Sequence, residues 1–107
     1  MSNVINIEDK SEFEAAVASG EVVVKFTAPA WCGPCRAFAP HFAAVSELHD
    51  AKFIAVDIDK AEWAVAEYGV QSVPTVKLYR EGVYITDLAK TQANRSSVKF
   101  LAELSNA

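Results

Sequence analysis

Apolar and polar positions along the chain alternate between two periods, which divide it into nine elements. Val4-Ile5-Asn6-Ile7 is a short apolar strand, and Ser11-Glu12-Phe13-Glu14 has the form of a capping box opening a helix to about Ser19. Gly20 suits the left-handed exit from that helix. Val22-Val23-Val24-Lys25-Phe26 is β-branched and apolar on both faces except at Lys25, the pattern of a central strand covered on both sides. A long helical stretch runs from Pro34 to about His49, with a kink expected at Pro40. Lys52 to Ile58 reads as a second buried strand. Asp59 is placed to cap a short helix containing Trp63, Val65, Ala66 and Tyr68 that ends at Gly69. Thr75–Tyr79 and Val83–Leu88 flank Arg80-Glu81-Gly82 as a hairpin. Asn94 is placed to cap a last helix through Val98, Leu101 and Leu104. The order β-α-β-α-β-α-β-β-α predicts an α/β fold: a mixed central sheet with helices on both faces.

With 107 residues, the chain fits one domain, 1–107, and its 51% hydrophobic content supplies a core. A net charge of -4 argues against a nucleic-acid or membrane-surface binder. No apolar run approaches the roughly 20 residues of a membrane span. The first residues carry neither a basic nor a long apolar region of the kind found in signal peptides. A cytoplasmic location is therefore expected, where a close cysteine pair is more often catalytic or metal-binding than a structural staple.

The only two cysteines lie in Trp31-Cys32-Gly33-Pro34-Cys35. One helical turn brings positions i and i+3 to roughly 5–6 Å, within the range of a disulfide. Redox chemistry and metal binding are the two candidate uses. Cys32, Cys35, His41 and His49 are all zinc-competent, but they lie along one helical run. At 1.5 Å per residue, His49 would sit roughly 20 Å from Cys35, and zinc modules space their ligand pairs differently. No metal site is expected, and both histidines are read as surface residues.

Together with Pro40 and Val73-Pro74-Thr75 ahead of the hairpin, the Trp-Cys-Gly-Pro-Cys motif resembles the thioredoxin family, and the element order agrees along nearly the whole chain. The resemblance implies a protein disulfide reductase with the thioredoxin fold. It needs no cofactor beyond the Cys32–Cys35 disulfide and is regenerated by a flavin-containing reductase that draws on NADPH. Disulfide-containing client proteins are its expected partners and a monomer its expected state. Pro74 is implied to be cis and beside the cysteines, where the backbone at Val73 pairs with an extended client segment by strand addition.

Cys32 opens a helix, where unpaired N–H groups and the helix dipole favour a thiolate, so it is the expected nucleophile. Cys35, one turn deeper, is the expected resolving thiol. Trp31 offers a flat apolar contact surface beside them. Gly33 and Pro34 resemble the reducing members of the superfamily, which argues against an isomerase or oxidase. A thioredoxin-fold subunit that binds one dedicated partner and uses redox state as a switch is the alternative, but a pure scaffold would not need the cysteine motif.

Three departures from the family pattern stand out. Lys25 occupies the position before Phe26 where the family usually places a carboxylate, and Ala55 stands where a facing lysine is usual. Either Lys25 pairs with Asp57, two residues beyond Ala55 on the same strand face, or its stem follows the core and its head reaches water. In the first case the two form a charge-swapped pair beneath the cysteines, able to tune them or relay a proton. The segment Thr27-Ala28-Pro29-Ala30-Trp31 is one residue longer than usual and lacks an upstream tryptophan. Finally, the glycine expected near Lys90 is missing. A bulkier, more cationic rim at Ala89-Lys90-Thr91 suggests a bias toward acidic client surfaces.

Overall fold

The computed structural model describes residues 2–107. Its elements are β1 (Val4–Asn6), α1 (Lys10–Val17), β2 (Glu21–Thr27), α2 (Gly33–Ser46), β3 (Lys52–Asp57), α3 (Trp63–Tyr68), β4 (Thr75–Arg80), β5 (Val83–Leu88), a turn of 3-10 helix (Gln92–Arg95) and α4 (Ser97–Ser105). The sheet order is β1-β3-β2-β4-β5. β1 and β2 both run parallel to β3, and β4 and β5 are antiparallel additions. This is the mixed α/β architecture that the element order predicts.

β2 is central because its residues can be buried on both faces. Val22, Val24 and Phe26 pack with Phe13 and Val17 of α1 and Ala64 of α3. Val23 turns the other way, toward Phe38 and Phe42 of α2 and Phe100 and Leu104 of α4. Aromatic contacts knit this second layer, with Phe42 lying 5.4 Å from Phe53 and 5.9 Å from Phe100 between ring centroids. Trp63 packs against Phe13 and Tyr68 in the first layer.

The caps differ from the expected ones. Asp9, not Ser11, opens α1, its carboxylate accepting from the Glu12 N–H at 2.9 Å. The turn begins two residues earlier, which leaves Ser11 inside it. Ser96, not Asn94, caps α4, because Thr91 and Asn94 are engaged in the preceding 3-10 turn. α3 starts at Trp63 without any side-chain cap, so Asp59 is not its cap. α2 runs through Pro40 but stops at Ser46, three residues short of His49. The hairpin turn places Glu81 and Gly82 at φ 51° and 80°, the primed geometry whose twist matches that of its flanking strands.

Candidate active site

β2 ends at Thr27, and the chain must reverse to enter α2. Ala28, fully buried, anchors this reversal: its carbonyl accepts from the N–H groups of Trp31 (3.2 Å) and Cys32 (2.9 Å). The longer segment is thereby folded into a tight turn rather than a floppy loop. Arg36 reaches back to the Pro29 carbonyl at 2.9 Å and holds the far side.

Cys32 is the N-cap of α2, and its Sγ accepts from the Cys35 N–H at 3.1 Å. The two Cα atoms are 5.2 Å apart and the side chains form a disulfide. Cys32 is 5% exposed and Cys35 1%, so Cys32 is the more accessible of the two sulfurs. Gly33 and Pro34 fill the first turn, both exposed. A Cβ at Gly33 would meet nothing within 4 Å, so sterics within the chain do not demand glycine there.

The Val73–Pro74 peptide bond is cis. Its strand-opening turn sets the Val73 carbonyl 3.7 Å from Cys32 Sγ. Ala28, Cys32 and Cys35 form a small cluster sealed by Ile58 and Val73. Beside it an apolar groove of about 450 Å³ runs between Trp31, Ile58, Val65, Val70 and Val73. Trp31 is 62% exposed, an unusual state for so large an apolar side chain. Asp59 holds it, accepting from the indole N–H at 3.0 and 3.2 Å. Sequence reasoning missed this role. The contact spans 28 positions, and the one available signal was that an acid at Asp59 lies close to the end of the strand neighbouring β2.

Beneath the cysteines, the proposed Lys25–Asp57 pair is not present, which corrects that expectation. Lys25 lies opposite Ala55 on β3 and Val76 on β4, whereas Asp57 lies opposite Thr27. Two residues along a strand is roughly 6–7 Å, and Asp57 turns to accept the Asp59 N–H at 3.0 Å. Among the described residues no ion pair involves Lys25. Nor does its head reach freely into water, since the residue is only 6% exposed. The ammonium lies over the Phe42 ring, 4.8 Å from its centroid, and 6.0 Å from that of Phe38. Burial lowers the Lys25 pKa from 10.5 to about 8, because an apolar surround penalises the charged form.

The histidines are not free surface groups. His41 Nδ1 accepts from the Ser97 N–H at 3.0 Å and lies 2.7 Å from its hydroxyl, tying α2 to α4. His49 Nδ1 accepts from the Ala51 N–H, and its Nε2 is 3.8 Å from Glu21. Among the described residues, no three His, Cys, Asp or Glu side chains converge as metal ligands, and no helix is long and apolar enough to cross a membrane.

The family model described as Thioredoxin matches residues 4–103. Thioredoxin-1 of Schizosaccharomyces pombe is 35% identical over 102 residues, covering 94% of this chain and 99% of that protein. A thioredoxin crystal structure from Schistosoma mansoni superposes with a TM-score of 0.77 at 32% identity, over 88% of this chain and 92% of that one. A thioredoxin from Trypanosoma brucei brucei superposes with a TM-score of 0.83 at 25% identity, over 96% and 88% of the two chains.

Proposed function

This chain belongs to the thioredoxin family, and from that premise we propose that Cys32 attacks client disulfides and Cys35 resolves the intermediate. The overall reaction is that of the family, thiol–disulfide exchange that reduces protein disulfides. The observation that carries the division of labour is the position of Cys32 as helix cap, with the Cys35 N–H aimed at its sulfur. In the reduced protein that donor and the start of α2 favour a thiolate on Cys32.

The Cys32 thiolate attacks one client sulfur, forms a mixed disulfide, and expels the other client sulfur as a thiolate that takes a proton. Cys35 then loses its proton and attacks Cys32 Sγ. The second client thiolate leaves, and the Cys32–Cys35 disulfide is restored. Two electrons have passed to the client. The donor that returns them is proposed to be a flavin-containing reductase drawing on NADPH.

An extended client segment pairs with the backbone at Val73, placing its sulfur over Cys32. Pro74 withholds a competing N–H, the Trp31 face covers the client's apolar side chains, and Gly33 and Pro34 leave the approach open. Lys25 enters at the resolving step. Phe38 and Phe42, which carry its amine, lie on the α2 face of Cys35, three and seven residues on. When neutral the amine accepts the Cys35 proton, and when charged it favours the thiolates. Asp57 has no part in this scheme. The chain is proposed to act as one domain, 1–107, as a monomer, and in the reducing environment of the cytoplasm.

Insulin reduction driven by a dithiol tests the assignment. Wild type is expected to turn over, and C32S and C35S to be inactive. C35S should accumulate a client mixed disulfide that C32S cannot form. A mixed disulfide in C32S but not C35S would reverse the two roles.

A further inference from the structure

The rim opposite Trp31 contains a backbone feature not explained by the exchange chemistry. Ala89 takes φ +53°, a left-handed conformation that a residue with a Cβ adopts only at a steric cost. Two charged side chains hold it there. Its N–H donates to Glu103 of α4 at 2.8 Å, and its carbonyl accepts from Arg95 Nε at 3.0 Å. Ala89, rather than Lys90, is thus the residue in the conformation that glycine favours.

The clamp also orients Arg95. Nε is used, and the rest of the half-buried guanidinium makes no hydrogen bond among the described residues. Arg95 forms the wall shared by two grooves at the active site. One, about 210 Å³, includes Pro34, Phe38 and His41; the other, about 250 Å³, includes Pro74, Thr75 and Lys90. Neither Arg95 nor Lys90 is in an ion pair among the described residues. Asp87, the carboxylate in the second groove, is already bound by Lys77 at 3.2 Å and by the Tyr84 hydroxyl at 2.8 Å. On a chain of net charge -4, the rim beside Pro74 therefore offers two cations outside any direct ion pair among the described residues, one of them pre-oriented, with Glu103 committed to the Ala89 N–H.

We propose that Arg95, assisted by Lys90, is a specificity-determining residue that selects client segments carrying a glutamate or aspartate beside the reducible cysteine. The inference rests on the reductase reading above, in which the client lies extended over Val73-Pro74. Alternate side chains of such a segment fall toward the two grooves, where a planar guanidinium suits a carboxylate.

The test uses two disulfide-linked peptides that differ only in whether the residues flanking the cysteine are glutamate or glutamine. At low ionic strength the wild type is expected to prefer the glutamate peptide by about fivefold in kcat/KM, the scale of a partly exposed charge pair. The preference should lie in KM and fade in about 0.5 M salt. In R95Q the ratio should fall close to one. Because Arg95 also braces Ala89, the double variant A89G/R95Q, in which glycine removes the strain, should show the same loss. A wild-type ratio of one, or a preference that survives in either variant, overturns the proposal. Reduction of both peptides at equal rates would leave the reductase reading standing, whereas reduction of neither would overturn both.

Discussion

The rim of the active site and the floor beneath it are built on opposite principles. At the rim, Trp31 is 62% exposed and Gly33 and Pro34 face solvent. Directly below, Cys35, Phe38 and Phe42 are at most 1% exposed, and Lys25 is sealed among them at 6%. At the rim, Trp31, Gly33, Pro34 and Pro74 keep the family motif while the Ala89-Lys90 segment departs from it, and the floor replaces the usual carboxylate with a lysine on aromatic faces. Exchange chemistry depends on groups that a client can reach, so the motif positions tolerate little change. The floor need only close the core and set proton affinities, and different side chains can do that.

If this division holds, floor variants should move stability and rim variants should move rate. The largest expected effect comes from F42A. Truncating a fully buried phenylalanine costs about 3–5 kcal/mol, and this ring also supports Lys25 and contacts Phe53 and Phe100. Urea unfolding reads the loss directly. A loss below about 1 kcal/mol would mean that the floor is not a packed aromatic layer.

K25M should sharpen the comparison with a smaller effect of opposite sign. Burial lowers the pKa of native Lys25 from 10.5 to about 8. Between those values the unfolded state holds the proton that the native state has lost, so this group's contribution to stability rises with pH across that window. Below about 8 the full cost of burying the ammonium is present. K25M is therefore expected to be more stable than wild type by about 1–3 kcal/mol at pH 7, with the gap closing toward pH 10.5. Titration of the thiols in the same variant checks the proton role. Unchanged cysteine pKa values and unchanged reduction rates would remove Lys25 from the mechanism and leave it a purely structural oddity.

The smallest expected effect is at the rim. W31A should lower kcat/KM for insulin by about fivefold, through lost contact with the client, while the unfolding free energy changes by no more than about 0.5 kcal/mol. D59N, which weakens the bonds that hold the indole, should shift the rate in the same direction by less. A W31A variant that loses stability rather than rate would dissolve the distinction between rim and floor.

The parts of the fold legible in the sequence are those with short-range causes. The β-branched run at Val22–Phe26 marks β2, and Glu81-Gly82 marks the hairpin turn. Cap residues were less legible, because several candidates stand within one turn of each helix start and small differences in chain entry choose among them. Asp9 displaced Ser11, and Ser96 displaced Asn94. Asp59 precedes α3 as a helix cap would, yet its carboxylate accepts from the Trp31 indole 28 positions away. Local propensity carries no information about such a partner.

The sequence by itself determined the chemistry: two thiols one helical turn apart at the start of a helix, flanked by Trp31, Gly33 and Pro34. Those signals act within a few residues, where backbone geometry leaves few alternatives. Tertiary structure alone decided how the site is tuned and guarded. Whether Lys25 met Asp57 or an aromatic face depended on strand register and on the packing of α2. Whether the rim loop turned left-handed at Ala89 or at Lys90 depended on Glu103 and Arg95 arriving from the last helix and the turn before it. Such outcomes join residues many positions apart, and only a closed core fixes their distances.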